Sequence, residues 1–404
     1  MLVAALGLTQ IVGYGTLYYS YSILAPGVAN ELQWSQQWVF GILSVSLLAG
    51  AVVAPLAGRW ADRVGAGRLL VGGSIAAAAA LLLCALAPGR AGFAAGMLAM
   101  ELASCFVLYS TAFVAVIQLV GRDAQRSITH LTLVGGFAST VFWPLTTYLA
   151  AHLTWREVLM LFAALNLLIC LPIHLWLATI SRRVADTAAP QENARQHVEP
   201  NRHQRTPIFW LMLVGFALEG YVLSAILVHM VPLTAALGLG TTGVAIASLF
   251  GPSQVASRLL NMIFGSGIRQ TQLAVTATFA LAFGLMVLLI SAPSPIGATM
   301  FAILFGLGSG LMSIVGGTLP LELFGRSGYG GNVGAITAAR QLSSAFAPFG
   351  LTVLMHRLGV FPALWINVAI GAVGIAAFAV ILLMQRRAAS NSPNTKATMA
   401  REAA

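Results

Sequence analysis

Two arginines occupy positions where a charge is costly. Arg258 lies in the run GPSQVASRLLNMIFG and Arg340 in VGAITAARQLSSAFAPFG, and neither has an acid within one helical turn. A cation at the centre of a bilayer costs at least about 2.5–3.5 kcal/mol and marks a pathway or a ligand site. A guanidinium presents a planar fork of donors that fits a carboxylate with two hydrogen bonds. Two such groups in one half of a chain point to an anion site, with Arg258 and Arg340 as its substrate-binding pair.

Three acids also fall within apolar runs: Glu101, Glu219 and Glu322. Glu219 is the coupling candidate, because it can pair with an arginine in the empty protein or take up a proton when substrate displaces it. Glu101 is expected to make a helix-packing hydrogen bond. Glu322 lies four residues before Arg326, the spacing of a local helical ion pair. Tyr14 and Tyr18 share one helical face and are expected to line a cavity as further substrate-binding residues. Trp143 beside Pro144 suggests a kinked, aromatic-walled segment. The glycines 306, 308 and 310, with Gly13 and Gly15, permit close packing or bending.

Other chemistries find no support. Cys84, Cys105 and Cys170 sit in apolar runs without CxxC spacing and read as packing residues. The histidines, His130 and His229 among them, read as lying near helix ends or in loops without metal-ligand spacing. No Walker lysine follows the glycine strings, and no paired acids or nucleophile–base motif appears. No cofactor, no metal and no enzymatic activity are therefore expected.

The elements that must carry these residues follow from composition. The chain of 404 residues is 58% hydrophobic and 8% charged, with a mean hydropathy of +0.87. Soluble domains carry about 25% charged residues, so an ordinary water-soluble globule is excluded. A membrane helix needs about 20 mainly apolar residues. Twelve segments qualify, at 2–29, 36–57, 69–87, 91–119, 128–150, 157–180, 207–237, 243–265, 272–291, 296–320, 332–356 and 362–384. The first begins without a basic region and is too long for a signal peptide, so it is expected to stay as a spanning helix. The polar stretch 181–206 reads as a flexible linker. The expected divisions are a six-helix bundle over 1–180, the linker, a second bundle over 207–384 and a tail over 385–404.

The net charge of +10 would suggest nucleic acid in a soluble protein, but here it collects in loops on one side. With the amino terminus inside, sixteen basic residues fall on inner loops, linker and tail, and three (Arg90, Arg156 and Arg357) fall outside. The positive-inside bias places both termini in the cytoplasm, and a bacterial inner (plasma) membrane is the expected location. Segment eight then ends near Gly267, roughly 13 Å beyond Arg258, and segment eleven begins near Asn332, roughly 12 Å before Arg340. Both guanidinium groups are thus expected at one level, somewhat cytoplasmic of the midplane.

The loop after the second segment reads Gly58-Arg59-Trp60-Ala61-Asp62-Arg63-Val64-Gly65-Ala66-Gly67-Arg68. It resembles the G-x-x-x-D-R-x-G-R-[KR] loop of the major facilitator superfamily, with Ala66 and Gly67 where that family carries basic residues. Over all but linker and tail, the 6+6 arrangement resembles the same family. The resemblance implies an all-α membrane protein of twelve helices in two pseudosymmetric six-helix bundles. It also implies a cytoplasmic gate at Gly58, Asp62, Arg63 and Gly65, with Asp62 facing the amino end of the eleventh helix. The matching second-half loop, Gly265 to Arg269, lacks the acid. Within the family the chain is most similar to monocarboxylate transporters and oxalate/formate exchangers. Their helix-eight arginine and helix-eleven basic residue correspond to Arg258 and Arg340. Gln254 stands where the proton-linked members carry an Asp, and the first segment lacks their lysine. That favours exchange or an unfamiliar proton carrier over the usual coupling route.

These readings lead to a secondary transporter that moves a small organic anion, a mono- or dicarboxylate, by alternating access. Partners are that anion, a proton or counter-anion and the bilayer, with no nucleic acid; a monomer is expected. Two alternatives stand beside it: efflux of amphipathic or cationic compounds through Glu101 or Glu219, and a non-transporting membrane sensor.

Overall fold

The computed structural model describes residues 2–187, 202–239 and 242–390. Most of the expected linker, residues 188–201, and most of the tail, residues 391–404, lie outside the described residues. Among the described residues the fold consists of twelve long helices without strands. In order they are α1 Leu2–Glu31, α2 Gln36–Val64, α3 Ala66–Ala85, α4 Arg90–Val120, α5 Ala124–His152 and α6 155–187. The second half holds α7 Arg202–Ala236, α8 242–264, α9 Gln270–Ser291, α10 Pro295–Phe324, α11 Tyr329–Leu358 and α12 Val360–Ser390. In hydrocarbon every backbone polar group must be satisfied internally, so apolar runs of this length become helices. Ten are long and apolar enough to cross a membrane; the other two, α8 and α11, carry Arg258 and Arg340.

The packing repeats after six helices. In the first half α1 packs on α5, α2 on α4, α3 on α4 and α3 on α6. In the second, α7 packs on α11, α8 on α10, α9 on α10 and α9 on α12. Small residues let the backbones approach: a Cβ at Gly306 or Gly310 would run into α8 carbonyls, and one at Gly308 into a carbonyl of α9.

The two bundles close on each other at the end where α6 finishes and α7 starts, the linker end. There Gly330 and Gly331 donate their backbone N–H groups to Asp62 Oδ1 and Oδ2 at 2.9 and 3.1 Å. A carboxylate at a helix amino terminus meets unsatisfied donors and the positive end of the helix dipole. Each such charged hydrogen bond contributes about 1.5–3 kcal/mol. Gly58 lies against the Gly330 carbonyl so closely that a Cβ has no room. Gly65, at φ +95°, turns α2 into α3, and Gln118 of α4 pins that turn through Ala66 N and Ala61 O. Arg63 is exposed. Tyr329 and Val333 of α11 are buried in the core of the first bundle, and the Tyr329 hydroxyl donates to Gly317 O at 2.6 Å.

Also at this end, the adjacent parts of α4 and α5 pack on α8, α10 and α11. Among the described residues, α2 against α11 is the one close inter-bundle packing that is not confined to this end. The space between the bundles is therefore floored at the linker end and open toward the other. Near the open end the first bundle is braced internally. Arg156 binds Glu31 at 2.7 Å and the Ala85 carbonyl at 2.6 Å, and Arg90 binds the Leu32 carbonyl at 3.0 Å.

Two local expectations are corrected. Glu322 does not pair with Arg326; it accepts from Gln270 N at 2.6 Å and Thr271 Oγ1 at 3.0 Å, capping α9. The free N–H groups of a helix start are better partners than a solvated side chain one turn away. His174 lies within α6 rather than near an end, fully buried, with Nδ1 2.7 Å from Ser74 Oγ.

Candidate functional site

A cavity of about 340 Å³ lies between the bundles above the floor. Its walls come from both halves: α1 and α4 on one side, α7, α10 and α11 on the other. Two irregularities shape it. Helix α1 contains a wide π-helical turn at Gly15–Tyr19. Helix α4 breaks at Leu108, whose backbone is extended (φ −84°, ψ −171°). Gln10 Nε2 and Thr111 Oγ1 take up the carbonyls of Val107 and Cys105 beside the break, at 2.8 and 2.9 Å. Irregular backbone at membrane depth is tolerated where protein or a cavity satisfies it.

Arg340 lines this cavity together with Tyr14 and Tyr18. Its Nε lies 3.3 Å from Glu219 Oε2, with the Glu219 side chain fully buried and that of Arg340 30% exposed. The pairing is electrostatic rather than a well-formed hydrogen bond, since neither Glu219 oxygen has a hydrogen-bond donor. The guanidinium is thus held by one edge while the rest of its fork faces the cavity. Tyr18, 51% exposed, packs edge-on against Tyr19, and Tyr14 stacks obliquely on Tyr109 at 4.7 Å between ring centroids.

Arg258 is placed differently. It is 6% exposed and absent from the cavity lining. Its Nε donates to Ser313 Oγ at 3.0 Å and to Gly310 O at 3.4 Å, both on α10. Its Nη1 donates to Thr132 O on α5, across the bundle interface, at 3.1 Å. Tyr109 also donates to Thr132 O, at 3.5 Å. Ser313 and Tyr109 line the cavity, so Arg258 lies beneath its floor and joins α8, α10 and α5. Arg340 lines the cavity and Arg258 does not, and the helix ends lie a few residues from where equal depth was expected. Helix α8 stops at Phe264, where Gly265–Gly267 form a tight 3-10 turn, and α11 starts at Tyr329 after the left-handed Gly328. Arg258 is then roughly 9 Å from the linker end and Arg340 roughly 17 Å, by the helical rise.

Further groups complete the walls. Glu101 of α4 lines the cavity and accepts from Gln341 Nε2 of α11 at 2.7 Å, a hydrogen bond between the bundles. Gln254 turns away and donates to Ser309 Oγ at 2.7 Å. Trp143 packs edge-on against Tyr19. Sequence reasoning missed Gln341 and Tyr109. A glutamine next to an intramembrane arginine, and a tyrosine just after the run holding Glu101, were the available signals. Among the described residues no cluster of His, Cys, Asp and Glu is fit to hold a metal.

A family model described as Major Facilitator Superfamily matches residues 6–348. No curated protein matches the sequence. Among solved structures, the chain is similar to the human organic anion transporter MFSD10 (TETRAN). The TM-score is 0.69 at 15% identity, covering 93% of this chain and 98% of that one. It is also similar to FucP, a transporter of the same superfamily in the outward conformation, with a TM-score of 0.68, 11% identity and coverages of 94% and 98%. A third likeness is to the proton:xylose symporter XylE bound to 6-bromo-6-deoxy-D-glucose, with a TM-score of 0.67, 13% identity and coverages of 93% and 94%. At these identities the likeness shows the fold.

Proposed function

The chain belongs to the Major Facilitator Superfamily, and we propose that it is a secondary transporter whose cargo is a small organic anion, a mono- or dicarboxylate. The solved relatives carry differing substrates in their descriptions, so the choice rests on the cavity itself. The observation that carries it is Arg340, tethered through Nε to Glu219 with the remainder of its fork facing open space. A carboxylate arriving there gains two parallel hydrogen bonds, and Tyr14 and Tyr18 supply hydroxyl donors beside it.

Binding then acts on Glu219. Once the guest neutralises Arg340, Glu219 is left fully buried without a cation, a state costing several kcal/mol for an ionised carboxyl. Uptake of a proton relieves it, which makes Glu219 the coupling group. Positive-inside bias assigns the linker end to the cytoplasm, so the cavity opens outward. Alternating access requires the floor to part: Asp62 leaves Gly330 and Gly331, and Thr132 withdraws from Arg258. Freed from α5, Arg258 joins the site from below, so it contributes to the inward-facing half of the cycle.

A second reading, binding of a cationic compound, draws on Glu101, an acid in the same cavity lining. Uptake of labelled carboxylates into proteoliposomes separates the two. The anion reading predicts saturable carboxylate uptake that Arg340→Gln abolishes. Uptake unchanged in Arg340→Gln, or cation uptake that Glu101→Gln abolishes, refutes it.

A further inference from the structure

Anion binding at Arg340 leaves one charged group of the cavity unexplained. Glu101 stands on the first-bundle wall, whereas Arg340 belongs to the second. Tyr18 lines the same cavity as both. The carboxylate is fitted closely into its place: a Cβ at Gly50 of α2 would collide with Glu101 and press on Gln341. Glu101 Oε1 accepts from Gln341 Nε2, and the Ser104 hydroxyl is the other polar neighbour of the carboxylate. A carboxylate only accepts, so the amide must turn Nε2 toward it; Gln341 Oε1 is then buried without a donor. The inter-bundle pair therefore leaves the amide oxygen unsatisfied.

The charges lead the same way. Arg340 is already balanced by Glu219, which leaves Glu101 as the uncompensated group of the cavity. A simple anion on Arg340, with Glu219 protonated in response, still leaves Glu101 facing no cation. A guest with one carboxylate and one ammonium brings that cation to the Glu101 wall.

We propose that the cargo is an amino-carboxylate, with its carboxylate on Arg340 and its protonated amine on Glu101. This rests on the reading of Arg340 as the carboxylate anchor and narrows the substrate class. Each bundle holds one end of the guest. The arriving ammonium takes Glu101 over from Gln341, which exchanges a direct inter-bundle hydrogen bond for one made through the cargo.

The test is calorimetric titration of the full-length purified protein with short straight-chain ω-amino acids. Carboxylic acids and amines of matching length are run beside them. One amino acid is expected to bind about tenfold or more tighter than its matching acid, the worth of one charged hydrogen bond. Glu101→Gln should bring the pair within about twofold of each other by the same reasoning. Glu101→Asp withdraws the carboxylate by one methylene, so the preferred amino acid becomes one carbon longer. A purely structural Glu101 cannot produce that shift. Equal affinity of acid and amino acid in the unaltered protein overturns the proposal while sparing the carboxylate anchor. An unchanged preference in both variants also overturns it. If amines alone bind as well as amino acids, the anchor itself is wrong.

Discussion

Arg258 and Arg340 are the same side chain on the two helices of the second bundle, α8 and α11, that pack against α5 and α2 of the first, yet their surroundings have little in common. Arg258 has no carboxylate; it is satisfied by two carbonyls and a hydroxyl on two neighbouring helices, one of them in the other bundle. Arg340 has a carboxylate behind it and open space in front. A buried cation surrounded by backbone acceptors is held by geometry, so it reports whether α5 and α10 are in register. A cation tethered by one edge keeps unfilled donors, so it reports what enters the cavity. On the proposed function, the comparison separates a residue that holds a conformation from one that awaits a guest.

Replacing guanidinium by ammonium is the sharpest way to break that contrast. Arg340→Lys keeps the charge and loses the fork, and carboxylate affinity measured by titration is expected to fall about 100-fold, the loss of two charged hydrogen bonds. The second effect concerns the floor. Arg258→Gln loses its charged bond to Thr132 O, so spin-label distances between the linker ends of α5 and α8 should show the parted state enriched about tenfold. A distance distribution identical to that of the unaltered protein contradicts a latch at Arg258.

Proton linkage gives a smaller signal. If Glu219 takes a proton when the guest displaces it, carboxylate affinity falls as pH rises, by roughly three- to tenfold per pH unit, because the bound state holds the extra proton. Glu219→Gln should flatten that slope, which titrations at several pH values will reveal. Smallest is Tyr18→Phe, which removes one neutral hydroxyl donor and is expected to raise the KM for uptake about two- to fivefold with kcat retained.

Much of this was legible in the sequence, for local reasons. Ten runs are apolar and long enough to span a bilayer, and the two that carry Arg258 and Arg340 still form helices; the four-residue spacing of Tyr14 and Tyr18 already suggested a shared face. Depth was less legible. Gly328 in the left-handed region starts α11 at Tyr329 rather than near Asn332, and the tight turn at Gly265 ends α8 early. Those few residues are enough to separate two arginines expected at one level. Least legible were the pairings across bundles. Nothing near Glu101 in sequence announces Gln341, 240 positions away, and nothing near Arg258 announces the Thr132 carbonyl. Glu322 shows the same limit in reverse: its neighbour Arg326 offered a local pair, and the amino terminus of α9 won.

The most direct test of the central contrast is equilibrium binding of a radiolabelled carboxylate to the unaltered protein and to Arg340→Gln, with folding checked by thermal unfolding. Saturable binding that disappears in the folded variant is the predicted result. Binding retained within about threefold would mean that Arg340 makes less than one charged hydrogen bond to the guest, and the account would be wrong.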